Sequence, residues 1–403
     1  MSLFSSRKNK KEVVLILDIG SGSVAGSFVE FSADQNPKIL YVKRVPIKFS
    51  LLLSGTRFKK KMLGALLLLM ENLNNEGLGY VKGYSKNHIK KVYCSLASPW
   101  FVSQTKSVRI KKNKPFVITE QFISDFLKKE EEDFEDSNLS KYESNTKQRS
   151  EIIERKLVGI KLNGYNTKNP LGKKASEARL SLFLSMSQKS ILDSIEDIVS
   201  KHFYIENINF HSFTLASFSA IRDMYEAVPS FLLLDITGEV TDVSLIKSGN
   251  ILRTMSYPVG KNSLIREITK KLKTTPEEAT SSLRLLLTDT LSAQKKKTLT
   301  SILESPKNVW SKEFQKAIVN IAEGTSVPTT VFFTADDDVA SWYGRLINSE
   351  EFVQLSMTDS PFIVSFINPL SLDSHVSFRT KAEKDTFIAV ESIFFNRLLE
   401  LGE

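Results

Sequence analysis

A single cysteine, Cys94, stands in 403 residues. No intramolecular disulfide and no cysteine metal cluster can form, and a reducing cytoplasmic compartment is the natural setting. The four histidines, His88, His202, His211 and His375, are scattered without ligand-like spacing, so no metal–histidine site is expected. Long apolar runs are missing too. Val13–Leu17 is too short for a signal-peptide core, and Leu63–Met70 reads as part of a buried helix. Contact with a membrane is therefore expected to be peripheral or through a partner. The net charge is +9, but the lysines lie in separate groups, Lys8–Lys11, Lys59–Lys61, Lys111–Lys114 and Lys295–Lys297. None interleaves with aromatics and no nucleic-acid motif is present, so these groups read as solvated surface.

What is present is a sizeable apolar fraction, 41%, in a chain long enough for two domains. Two segments in opposite halves share one pattern. Val13-Val14-Leu15-Ile16-Leu17-Asp18-Ile19 leads into Gly20-Ser21-Gly22-Ser23, and Phe231-Leu232-Leu233-Leu234-Asp235-Ile236 leads into Thr237-Gly238-Glu239-Val240-Thr241-Asp242. Each is an apolar strand ending in Asp, then a tight turn. Glycine lets backbone N–H groups approach a phosphate, a neighbouring hydroxyl adds a donor, and the Asp can hold hydrated magnesium. One such turn is a weak signal, because Gly and Ser dominate turns anyway. Two copies after matched strands are a stronger one.

Strands are expected at 13–19, 25–31, 39–49 and 89–97, with a helix over 58–75. A helix over 119–135, a polar loop over 136–150, two strand-like runs either side of Asn169-Pro170-Leu171-Gly172 and an amphipathic helix over 188–201 suggest an inserted α+β module. Later strands fall at 231–236, 243–246, 251–257 and 330–334. Helices fall at 214–227, 261–273, 276–287 and 386–400, the third opened by Thr275-Pro276-Glu277-Glu278. Leu51-Leu52-Leu53 and Trp310 read as core. The closing helix has only Arg397 against Glu391, Glu400 and Glu403, so it reads as core rather than as a membrane-surface helix. The expected organisation is a basic tail (1–12), a first lobe (13–97), an inserted module (98–205) and a second lobe (206–403). The fold class is α/β.

These motifs resemble the actin-like ATPase superfamily, and within it the division protein FtsA and its pilus-assembly relative PilM. Leu17 to Val24 resembles the family's first phosphate motif and Leu234 to Val243 its second. Tyr257-Pro258-Val259-Gly260-Lys261-Asn262 resembles the segment that follows, and Asn169-Pro170-Leu171-Gly172 a turn of the inserted domain of FtsA. The resemblance spans about residues 13–400 in order. It implies a duplicated, two-lobed, ribonuclease H-like fold with a small inserted α+β module. It also implies ATP with magnesium as cofactor: Asp18 holding the metal through water, Gly20, Ser21, Gly22 and Ser23 as phosphate donors, and Asp235, Gly238, Thr241 and Gly260 on the opposite side. No catalytic residue is carried over.

Departures from that pattern argue against efficient hydrolysis. Thr237 and Glu239 replace two glycines of the second turn, and a glutamate beside a phosphate needs a cation between them. The adenosine turn, Thr334-Ala335-Asp336-Asp337-Asp338, has lost both glycines and carries three aspartates. The resemblance implies an FtsA-type scaffold coupling a cytoplasmic assembly to the inner membrane. The alternatives are a PilM-type scaffold of a pilus or secretion system and, third, a sugar-kinase-type phosphotransferase, which would need an intact phosphate cradle and a catalytic carboxylate. Implied partners are other assembly proteins reached through the module, with self-association through the fold.

Overall fold

The same strand order occurs twice. The computed structural model describes residues 11–51, 54–81, 89, 91–142, 149–167, 169–203, 205, 207–356 and 359–401. The chain opens with β1 (Glu12–Ile19), β2 (Ser23–Phe31), β3 (Lys38–Pro46), α1 (Gly55–Asn75) and β4 (Val92–Leu96). An insertion follows, made of β5 (Phe101–Val117), α2 (Glu120–Tyr142), β6 (Ser150–Leu162), β7 (Tyr165–Asn166) and β8 (Lys174–Gln188). Next come α3 (Lys189–Phe203), β9 (Ile208–Ser212) and α4 (Phe213–Met224). The second half holds β10 (Phe231–Ile236), β11 (Thr241–Lys247), β12 (Asn250–Tyr257), α5 (Lys261–Leu272), α6 (Pro276–Leu287), α7 (Ala293–Ala322) and β13 (Thr330–Ala335). It closes with α8 (Asp337–Ile347), β14 (Ile363–Phe366), β15 (Ser377–Phe378) and α9 (Thr386–Leu401).

The first sheet runs β15-β3-β2-β1-β4-β9 and the second β12-β11-β10-β13-β14. β1 pairs antiparallel with β2 and parallel with β4. β10 repeats this with β11 and β13. Both central strands are buried almost throughout, as expected of strands covered on both faces. α1 and α3 pack on one face of the first sheet, and α5, α6, α7 and α8 join the apolar core of the second. α4 and α9 contribute to a core shared by both sheets, with Val14 and Ile16 at one side and Phe231 and Leu233 at the other. The insertion is a separate four-stranded sheet, β5-β8-β6-β7, with α2 over one face.

Several boundaries differ from the sequence expectation. β9 and β15 belong to the first sheet although both lie after residue 205. α3, expected inside the module, buries Ile191, Leu192, Ile195 and Val199 in the first-sheet core beside α1. Periodicity reveals that a face is buried but not what it is buried against. The helix expected over 119–135 runs on: α2 continues to Tyr142, Glu130 is buried near Lys106 at 3.5 Å, and Glu131 pairs with Arg155. Residues 143–148 of the expected polar loop, residues 1–10 of the basic tail, His88, Leu52 and Leu53 lie outside the described residues. Leu51 is 61% exposed, whereas Trp310 is buried as expected. α9 is core, with Ile388, Ala389, Val390 and Phe395 fully buried. Among the described residues no helix is long and apolar enough to cross a membrane.

Candidate functional site

The duplicated turns meet. Asp18 and Asp235 are each the last residue but one of their strands, and the turn after each brings Gly22 against Gly238. A Cβ on Gly238 would lie 2.5 Å from the Cα of Gly22, so the two backbones touch. The Ser21 hydroxyl lies 2.6 Å from that of Thr237 and accepts from the Glu239 N–H at 2.8 Å. Gly20 N–H donates to Ser23 O at 3.0 Å, and Gly20 O accepts from the Trp100 indole at 2.7 Å. Gly260 sits so close that a Cβ there would be 2.3 Å from Thr237 O. These glycines serve close backbone approach.

Cross-strand register explains the charges. Asp18 is opposite Ala25, and Ala25 is opposite Arg44 on β3. The small alanine lets the guanidinium reach Asp18 at 2.8 Å. The same arginine also binds both oxygens of Asp385, at 2.6 and 2.8 Å, and donates to the Ser23 hydroxyl at 2.8 Å. Burial nevertheless pushes the Asp18 carboxyl up to about 6, against the pull of Arg44 and with the negative charge of Asp385 adding to the rise. Asp385 itself ends below its usual range: burial opposes this, but Arg44 and the N–H groups of Ile388 and Phe387 outweigh it. Among the described residues no cation pairs with the matching aspartate of the second lobe. Asp235 lies directly opposite Asp242, which lies opposite Ser256. One Asp235 oxygen accepts from Thr334 at 2.8 Å and the other is buried without a partner. Burial, with the neighbouring Asp242, holds Asp235 well above the ordinary carboxylate range, and burial raises Asp242 to about 6. One central aspartate has an arginine beside it, and the other has a second carboxylate.

The remaining members of the expected site are also engaged. Thr241 does not reach the cleft: its hydroxyl donates to Val259 O at 2.7 Å and accepts from the Trp310 indole at 3.1 Å, inside the second-lobe core. Glu239 is buried, ion-paired to Arg266 and bonded by Asn262 at 2.7 Å. Lys261 bridges Asp336 at 2.9 Å and Asp338 at 2.7 Å. Burial disfavours its charge, but the two carboxylates more than compensate. Arg44, Lys261, Arg266 and Asp385 escape sequence reasoning because each acts over long range. The one local signal is an arginine set among Val42, Lys43 and Val45 in an otherwise buried strand.

As arranged, these residues do not fit a magnesium-bound triphosphate. The Ser21 hydroxyl is taken up by Thr237 and the Glu239 N–H, the backbones leave no gap at Gly22–Gly238, and the Asp18 carboxylate is held by Arg44. Among the described residues no cluster of three or more acidic, histidine or cysteine side chains could hold a metal.

No family model matches the chain, and no curated protein matches it in sequence. Solved structures do. The PilM-PilN type IV pilus biogenesis complex superposes with a TM-score of 0.63 at 12% identity, covering 97% of this chain and 98% of that one. The chain has the actin-like ATPase fold. MreB 5 of Spiroplasma citri bound to AMPPNP matches with a TM-score of 0.45 at 10% identity, over 97% of this chain and 99% of that one. The ethanolamine utilization protein EutJ from Carboxydothermus hydrogenoformans matches at 0.42 and 11% identity, over 95% and 89%. In this actin-like chain the two lobes keep the duplicated strand–turn–strand, and the two turns lie against each other.

Proposed function

We propose that this chain is a scaffold of the FtsA type, an actin-fold protein that couples a cytoplasmic assembly to the inner membrane. The observation that carries this reading is the closed contact between the two turns, Ser21 to Thr237 and Glu239, with Arg44 held on Asp18 and Lys261 on Asp336. The fold persists and the chemistry has lapsed, so selection acts on surfaces. The inserted module, which carries its own sheet and helix, is the partner-binding element. Membrane attachment runs through a partner.

A second setting has its own support. The whole-length likeness to a protein of a pilus biogenesis complex favours a PilM-type role in pilus or secretion assembly. Affinity capture with the full chain separates the two: division and cell-wall proteins support the first, pilins or secretion components the second. Calorimetric titration with magnesium-ATP tests what they share. No heat at millimolar nucleotide is the expected result. Tight binding with turnover would overturn the scaffold reading and return the phosphotransferase to consideration.

A further inference from the structure

The face of the inserted sheet opposite α2 carries an unusual row. Arg109 on β5 is directly opposite Arg179 on β8, and Arg179 is directly opposite Lys161 on β6. Lys161 is in turn opposite Asn166 on β7. Four strands thus align three cations and an amide at one level. Like charges directly opposite across strands are destabilising. Arg109 is paired, with Glu177 at 2.5 Å, and Lys111, opposite Glu177, adds a further cation to the next row. Arg179 faces that same Glu177, so one carboxylate serves Arg109, Arg179 and Lys111. Among the described residues Lys161 has no salt bridge, and Arg109 and Arg179 are exposed. On the other side lies a row of Ser107, Ser181 and Gly159, in which the Ser181 hydroxyl donates to Ser107 at 3.2 Å.

The neighbourhood limits what can approach. The turn between β11 and β12 stands against this same face: a Cβ on Gly159 would lie 2.8 Å from the side-chain oxygen of Asn250. A second-lobe hairpin therefore projects beside the cationic row, one level away. A planar bilayer cannot lie flat over a face with such a ledge, but a single extended chain can lie along it. The opposite face offers no similar site, because α2 covers it and there Lys106 and Arg155 already meet Glu130 and Glu131.

We propose that the Arg109–Arg179–Lys161 row docks an extended acidic segment of a partner protein, bounded by the Ser248–Asn250 turn. The proposal rests on the scaffold reading and names the chemistry of its partner. Glu177 offsets only one of the four cations Arg109, Lys111, Arg179 and Lys161, and an anionic chain neutralises the excess on docking.

The test uses the full chain and a short fluorescein-labelled peptide of glutamate, aspartate and serine, followed by anisotropy at low and high salt. The double variant Arg179→Glu, Lys161→Glu is compared with Lys295→Glu, Lys297→Glu on α7, which changes net charge equally. Equal melting temperatures of both variants with the wild type establish that the fold is intact. The row variant is expected to bind about tenfold more weakly, while the α7 variant keeps wild-type affinity. Equal losses in both variants would reduce the effect to net charge and overturn the proposal, as would no peptide binding by the wild type. Two further results would overturn it: row-dependent sedimentation with phosphatidylserine vesicles in place of peptide binding, and a row-dependent change of oligomeric state, which would make a second copy the occupant. Failure of the scaffold reading is seen separately, as nucleotide turnover, and leaves the peptide result intact.

Discussion

Ser21 and Thr237 are 216 positions apart in the chain, and their hydroxyls are 2.6 Å apart in space. The same Ser21 oxygen accepts the Glu239 N–H. Ser21→Ala leaves that buried donor unmet, and a loss of about 1–2 kcal/mol in unfolding free energy is expected from urea titration. An unchanged midpoint would mean that the two turns do not hold the lobes together.

Arg44 serves two buried carboxylates at once. Arg44→Met strands both, and a destabilisation of about 3–5 kcal/mol is expected. Adding Asp18→Asn and Asp385→Asn should restore much of the loss, because no buried charge is then left unpaired. A triple variant as unstable as the single one would show that packing, not charge, is what Arg44 supplies.

Asp18 and Asp242 both titrate near 6 in the folded chain, raised from 3.8. A raised carboxyl binds its proton more tightly folded than unfolded. Its contribution is complete below about pH 4 and fades as pH rises through about 6. Asp385 is shifted the other way, so its contribution is lost only as pH falls below its ordinary 3.8. The urea midpoint should therefore decline from about pH 4 to about pH 6, and Asp242→Asn should flatten the decline. A midpoint that climbs over this interval would contradict the assignment.

Two glycines should respond in opposite directions. Gly238→Ala drives a methyl to 2.5 Å from the Gly22 Cα, so the turns must separate and stability should fall by about 1–3 kcal/mol. Gly64, within α1, has no atom within 4 Å of an added Cβ. Gly64→Ala should raise stability by up to about 1 kcal/mol through helix propensity. Differential scanning calorimetry of the pair checks both signs.

The duplicated strand–turn–strand was legible because apolar runs, Asp and turn residues lie within a dozen positions of one another. The start of α6 was legible for the same reason: Thr275 caps it, with Glu278 completing the capping box. The three aspartates after Ala335 were read only as damage to an adenosine turn. They also open α8, where negative charge suits the positive end of a helix. What stayed hidden was partnership at a distance. Nothing near Arg44 announces Asp385, and nothing near Lys261 announces Asp338. Thr241 matched a motif, yet Trp310, contributed by another helix, turns its hydroxyl inward. Leu51 shows the converse error, an apolar residue taken for core that is mostly exposed.

The insertion leaves the first lobe after β4 and rejoins it at α3, and its two stems, Phe101 and Ser187, sit opposite each other across one strand pair. A segment whose entrance and exit are neighbours can lengthen, shrink or be replaced while the sheets that carry it keep their pairing. The actin-like core then behaves as a chassis. The insertion can diverge at a pace of its own, while the closed turns diverge at a pace set by packing.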